Sequence, residues 1–120
     1  MIGLVDDQGR ALLEVRIRRG LLSEYSLVTT WIDTAFDGHL VMSLEQIKEL
    51  ELEPLAETEA ILADGSKVTL ETFLCDIDWF DERMPLQVIA NEGRFPLLGT
   101  GLLELRTLQI DYRNKTVQLD

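Results

Sequence analysis

The chain has 120 residues, 46% of them hydrophobic and spread throughout, which suits one folded domain over residues 1–120 with a modest core and excludes disorder and a second domain. With 22 acidic against 11 basic residues its formal charge is −11, so a nucleic-acid partner is not expected. No apolar run reaches membrane-spanning length and no secretory leader pattern opens the chain, so no membrane partner and a cytoplasmic location are expected; the single Cys75 cannot form an internal disulfide, in keeping with a reducing compartment.

In chain order, Met1–Val5 reads as a short strand, and Asp6-Asp7-Gln8-Gly9 as a tight turn into Ala11–Ile17. There Leu13, Val15 and Ile17 alternate with Glu14, Arg16 and Arg18, the period of a half-exposed strand. Gly20 and Ser23-Glu24 break the pattern before the apolar, β-branched run Tyr25–Ile32, which leads straight into Asp33-Thr34-Ala35-Phe36-Asp37-Gly38. Asp33 therefore stands at the end of a buried strand, on a loop, where a rigid scaffold presents a partly desolvated carboxylate. Extended structure resumes at Leu40-Val41-Met42.

Ser43 caps a short helix, with Gln46 completing a capping box ahead of Ile47 and Leu50, and Pro54 bounds it. Glu57–Leu62 and Lys67–Phe73 are strands joined by Ala63-Asp64-Gly65-Ser66, a hairpin signal. Leu74–Phe80 continues extended, Asp81-Glu82-Arg83 turns, Pro85–Ala90 is another strand, and Asn91-Glu92-Gly93-Arg94 turns again. A short apolar strand from Phe95 ends at Gly99, where the absent side chain permits close backbone approach, and a brief helix follows through Leu103–Leu105. Leu108–Asp111 and Thr116–Leu119 close the chain as a hairpin around Tyr112–Lys115. Many short strands with one or two short helices predict an all-β, barrel-like domain.

Three stretches, in order, carry a resemblance: Ile32-Asp33-Thr34-Ala35-Phe36-Asp37-Gly38, then Ala63-Asp64-Gly65, then Leu97-Leu98-Gly99-Thr100-Gly101-Leu102-Leu103. Together they resemble the retropepsin-like (clan AA) aspartic proteases of bacterial and archaeal type, over nearly the whole chain. The resemblance implies an acid-protease barrel with its active site at a homodimer interface. It makes Asp33, Thr34 and Ala35 the catalytic loop, with Asp33 the reacting carboxylate and Thr34 bonding across the twofold axis. Phe36, Asp37, Gly38 and Leu98, with a flap at Ala63, Asp64 and Gly65, would meet the peptide or protein substrate. Leu97-Leu98-Gly99 would pack beneath the loop. No metal and no cofactor are implied.

The sequence departs from the family pattern at Ala35, which adds a Cβ where glycine is usual, and at Thr100, where retroviral enzymes commonly carry an arginine. Asp64-Gly65-Ser66 and Asp111-Tyr112-Arg113 do not repeat the Asp33-Thr34 motif, so one chain supplies one catalytic aspartate. A C2 homodimer would supply the second, and the terminal strands, Met1–Val5 and Thr116–Asp120, are the expected intersubunit sheet. The function implied is an aspartic endopeptidase. The competing reading is a protease-like dimeric domain of weak or no activity that binds an extended peptide or a protein partner. Lone His39 does not suggest a metal site. Trp31, Trp79 and Phe80 suit a core or groove wall, and Cys75 a buried apolar position.

Overall fold

A computed structural model describes residues 1–20, 22–93 and 95–120, with Ala60 described by its backbone alone. Arg94, expected in the turn before Phe95, lies outside the described residues. Ten strands alternate with a single α-helix and one 3-10 turn among the described residues. The strands are β1 (Ile2–Val5), β2 (Ala11–Arg18), β3 (Tyr25–Ile32), β4 (Leu40–Ser43), β5 (Glu53–Ile61), β6 (Lys67–Trp79), β7 (Glu82–Asn91), β8 (Leu97–Leu98), β9 (Leu108–Asp111) and β10 (Thr116–Leu119). The helix, α1, spans Leu44–Glu49, and the 3-10 turn Thr100–Leu102.

The strands form one sheet in the order β5-β6-β7-β4-β8-β3-β2-β1-β10-β9, and a further β2–β6 pairing joins its middle into a closed ring from β6 round to β2. Pairing of Ile17 with Ile77 at that closure puts two fully buried side chains where the ring meets itself. Inside lie the alternating residues that the period of β2 predicts, Leu13, Val15 and Ile17, against Val28, Leu40, Met42, Ile77, Val88 and Leu98. Burying such side chains contributes about 1.5–3 kcal/mol each, which is what holds a chain of this length together. Trp79 belongs to this core and Trp31 does not, being 40% exposed. Thr30 and Thr72 are the buried polar residues among those described, and their hydroxyls donate to the Leu13 carbonyl at 2.7 Å and the Ala56 carbonyl at 3.1 Å.

Ser43 caps α1 as its sequence predicts, its Oγ accepting the Gln46 N–H at 3.2 Å. Several boundaries differ from expectation. Pro54 lies inside β5 rather than at the end of α1; β5 is an edge strand with an irregular register at Pro54/Ala56, where a missing N–H does no harm. Lys67–Phe73 and Leu74–Phe80 fuse into the single strand β6. The turn after it is Phe80-Asp81, both at positive φ (47° and 62°), the backbone a two-residue hairpin demands. The helix expected after Gly99 and through Leu103–Leu105 is a single 3-10 turn, Thr100–Leu102, that stops short of that end, and Leu105 has a φ of 60° that no helix tolerates.

The terminal strands are not free edges. β1 is paired on one side by β2 and on the other by β10, which in turn pairs with β9. The Met1 ammonium donates to the Leu119 carbonyl at 2.6 Å, and the Leu119 N–H to the Met1 carbonyl at 2.8 Å. With both ladders filled within the chain, Met1–Val5 and Thr116–Asp120 cannot be the unpaired strands of an intersubunit sheet. The free edges belong to β5 and β9.

At the ring closure Arg18 grips Asp78 with two parallel bonds, Nε to Oδ1 at 2.8 Å and Nη2 to Oδ2 at 2.9 Å. The Arg18 side-chain bond, aided by the charges of Arg18, Arg83 and Arg16, holds the Asp78 carboxyl below its ordinary value. A lowered folded-state value means the bond stabilises fully above the unfolded carboxylate range and is lost as pH falls through the folded value. Acid melting curves of the native chain and Asp78→Asn should therefore differ most at neutral pH and converge as pH falls below the carboxylate range. Cys75 is buried, and that burial, with the Asp76 charge beside it, pushes its thiol up to about 12. Thiol labelling at pH 8 should be negligible in the native protein and track unfolding as denaturant is added.

Candidate active site

The site is built on a crossing at the open end of β3. The two-residue strand β8 slots between β3, which it parallels (Trp31 with Leu97, Ile32 with Leu98), and β4, which it opposes (Leu40 with Leu98, Val41 with Leu97). Carbonyls in and just before β8 take the end of β3 and the start of the Asp33 loop: Trp31 N–H donates to Pro96 at 2.8 Å and Asp33 N–H to Leu98 at 2.9 Å. The 3-10 turn continues the seam. Thr100 donates both its N–H (2.7 Å) and its hydroxyl (3.2 Å) to the Phe36 carbonyl, Gly101 donates to Gly38 at 3.0 Å, and Gly99 to His39 at 2.9 Å. Thr100 thus pins the backbone of the loop.

This seam is tight enough to require glycine. A Cβ on Gly99 would meet the Gly38 and Phe36 carbonyl oxygens and the Phe36 ring, and one on Gly38 would meet that ring as well. Phe36 is therefore half-buried as a plug between two glycines, and Leu98 is fully buried beneath the loop, presenting only its backbone to Asp33.

Asp33 itself is half-buried, while Thr34, Ala35 and Asp37 are exposed. One carboxylate oxygen, Oδ1, accepts the Ala35 N–H at 2.9 Å, which orients the side chain. Ala35 does not have a positive φ, so its methyl group costs no backbone strain, and it points to solvent. Beside the carboxylate opens a cavity of about 390 Å³ lined by Trp31, Ile32, Asp33, Thr34 and Leu97. Trp31, Ile32 and Leu97 are not among the site residues expected from the sequence, although Trp31 suits a groove wall there; Trp31 and Leu97 become neighbours only through the β3–β8 pairing.

The other candidate carboxylates are occupied differently. Asp64 sits at the tip of the β5–β6 hairpin, where its Oδ1 accepts both the N–H (2.9 Å) and the hydroxyl (2.6 Å) of Ser66, bonds that hold its carboxyl below the ordinary value. Gly65 there has a φ of 86°, so Asp64-Gly65 is turn chemistry. Ala63, Asp64 and Gly65 do not line the cavity at Asp33. Asp111 is bound to the Arg113 and Asn114 N–H groups in the last hairpin. His39 Nδ1 accepts the Gln87 N–H at 3.3 Å, and no group of His, Cys, Asp and Glu able to hold a metal occurs among the described residues. Nor is any helix among them long and apolar enough to cross a membrane.

Two predictions test this construction. Gly99→Ala should lose about 1–3 kcal/mol in denaturant unfolding, because the added methyl meets backbone rather than a movable side chain. Ala35→Gly should lose only about 0.4–1 kcal/mol, the entropy of a freer unfolded chain.

No protein-family model matches the chain, and no curated protein matches it. Solved structures do. A retropepsin-like aspartic protease from Rickettsia conorii superposes with a TM-score of 0.70 at 14% identity, covering 99% of this chain and 88% of that one. EIAV protease in complex with the inhibitor HBY-793 superposes with a TM-score of 0.57 at 15% identity, covering 82% of this chain and 89% of that one. The chain thus has the retropepsin-like, mainly β fold of these aspartic proteases.

Proposed function

We propose that the chain is an aspartic endopeptidase that works as a homodimer, with Asp33 of each copy forming the catalytic pair. The observation that carries the reading is the half-buried Asp33 carboxylate, held by one backbone N–H on a pinned strand-end loop and open to a cavity. The retropepsin-like fold supports it, and so does the single Asp-Thr motif, which leaves one chain half a site.

Two carboxylates brought face to face cannot both ionise cheaply, so they share one proton. The ionised one takes a proton from a water bound between them as that water attacks the peptide carbonyl. The protonated one delivers its proton to the carbonyl oxygen. The carboxyl that took the water's proton then passes it to the nitrogen as the C–N bond breaks, and the other carboxylate takes a hydroxyl proton from the intermediate as the carbonyl re-forms, which restores the shared proton. In this reading Thr34, which is exposed, bonds across the twofold axis, and the β5–β6 hairpin covers an extended peptide through main-chain bonds. The substrate is a peptide or protein, with no nucleic acid, membrane, metal or cofactor in the reaction.

Cleavage of a diverse peptide mixture, read by mass spectrometry from pH 3 to 8, tests the reading. Internal cuts should follow a bell-shaped profile with its optimum below neutrality and fall on the order of 10³-fold in Asp33→Asn, with the variant still dimeric by light scattering. Binding without cutting in both proteins would instead favour a peptide-binding domain. Because each copy carries a formal charge of −11, dimer dissociation should weaken as salt rises. A strict monomer at high concentration would rule out the shared site.

A further inference from the structure

Another cavity, of about 520 Å³, opens where α1 meets the root of the β5–β6 hairpin, and it shares no residue with the cavity at Asp33. Its floor is apolar, formed by Leu44, Ile47, Leu52, Pro54 and Phe73, and Glu71, two residues nearer the hairpin tip than Phe73, stands on its rim. Along β6, Val68, Leu70 and Thr72 are half-buried or buried, while Lys67, Thr69 and Glu71 are exposed. The groove therefore continues onto the exposed face of the hairpin, where the register sets Glu57 directly opposite Glu71 and Glu59 opposite Thr69. Like charges directly opposite across two strands repel and cost stability. Among the described residues neither Glu57 nor Glu71 has an ion-pair partner, so the repulsion stands. On the helix side Glu51 is taken by Arg19 at 2.8 Å, and Lys48 is exposed. Residues 44–73 carry eight acidic against two basic side chains, −6 of the formal −11, so this surface draws in cations.

We propose that the groove docks an extended segment of a partner protein that carries an arginine and, two residues away, a large aliphatic side chain. The aliphatic side chain covers Leu44, Leu52 and Phe73, and the guanidinium lies between Glu57 and Glu71. The spacing follows from β6, where Phe73 and Glu71 are two residues apart on one face, about 7 Å, which is also the two-residue repeat of an extended segment laid along them. Arginine suits the glutamate pair because its planar fork has donors enough for both carboxylates at once. Its binding replaces a repulsion with charge-assisted hydrogen bonds. The apolar floor adds the second requirement, so a cation alone is not enough. This surface is separate from the Asp33 site and works whether or not that site cuts.

The test uses the full chain carrying Asp33→Asn, which leaves any peptide uncut. The probe is the heptapeptide Thr-Leu-Thr-Arg-Thr-Leu-Thr, whose leucines stand two residues from the arginine in either direction, with binding read by calorimetry at low salt. Replacing the arginine by glutamine should weaken binding roughly tenfold, and so should replacing both leucines by alanine. Glu57→Gln together with Glu71→Gln should cost the arginine peptide the same roughly tenfold and leave the glutamine peptide unaffected, the coupling that places the cation. This double variant should melt no lower than its parent, because it loses a repulsion, so its weaker binding is not misfolding. Trp31→Ala, at the other cavity, should leave binding unchanged. The proposal is overturned if the heptapeptide does not bind, or if the preference for arginine survives in the double variant. It is also overturned if Trp31→Ala weakens binding and the glutamate substitutions do not, which would seat the peptide at Asp33.

Discussion

Everything about the candidate site depends on the fit of two residues, Leu97 and Leu98, between β3 and β4. A strand that short has no stability of its own. It is held because its backbone groups are bonded on both sides and its Leu98 side chain is wholly inside the core. In return it supplies the carbonyls that end β3 and stop the Asp33 loop from fraying. The loop can then leave its carboxylate half-open to solvent without being mobile, a combination an unsupported loop cannot offer.

The close approach has a steric requirement as well as a bonding one. Gly38, Gly99 and Gly101 allow two backbones and the Phe36 ring to share a space in which any Cβ would collide. Rigidity is thus delivered from beneath, by glycines and a buried leucine, while the upper surface at Thr34 and Ala35 stays free. Ring closure between β2 and β6 serves the same end at longer range. With Ile17 on Ile77 and Arg18 on Asp78, β3 is fixed by a partner that is itself fixed.

Three Asp residues followed closely by a small residue or a hydroxyl illustrate how little a dipeptide decides. Asp64 spends its acceptor on Ser66 and Asp111 on Asn114, so both are structural. Asp33 accepts one backbone N–H and faces a cavity. Chemistry follows from what else the oxygens are bonded to.

Local pattern was enough to reveal the mainly β class, the inward face of β2, the Ser43 cap, the hairpin at Asp64-Gly65 and the importance of the Asp33 and Gly99 stretches, because alternation, capping and turn chemistry act over a few residues. It left the terminal strands as free edges, since an edge is free or filled only in relation to every other strand, and it ran the last helical turn too far, since Thr100 and Gly101 turn to reach Phe36 and Gly38 some sixty residues earlier. Trp31 is legible from the sequence as a core or groove wall, but that Leu97 lines the same cavity is not, because only the parallel register of β3 with β8 brings the two together.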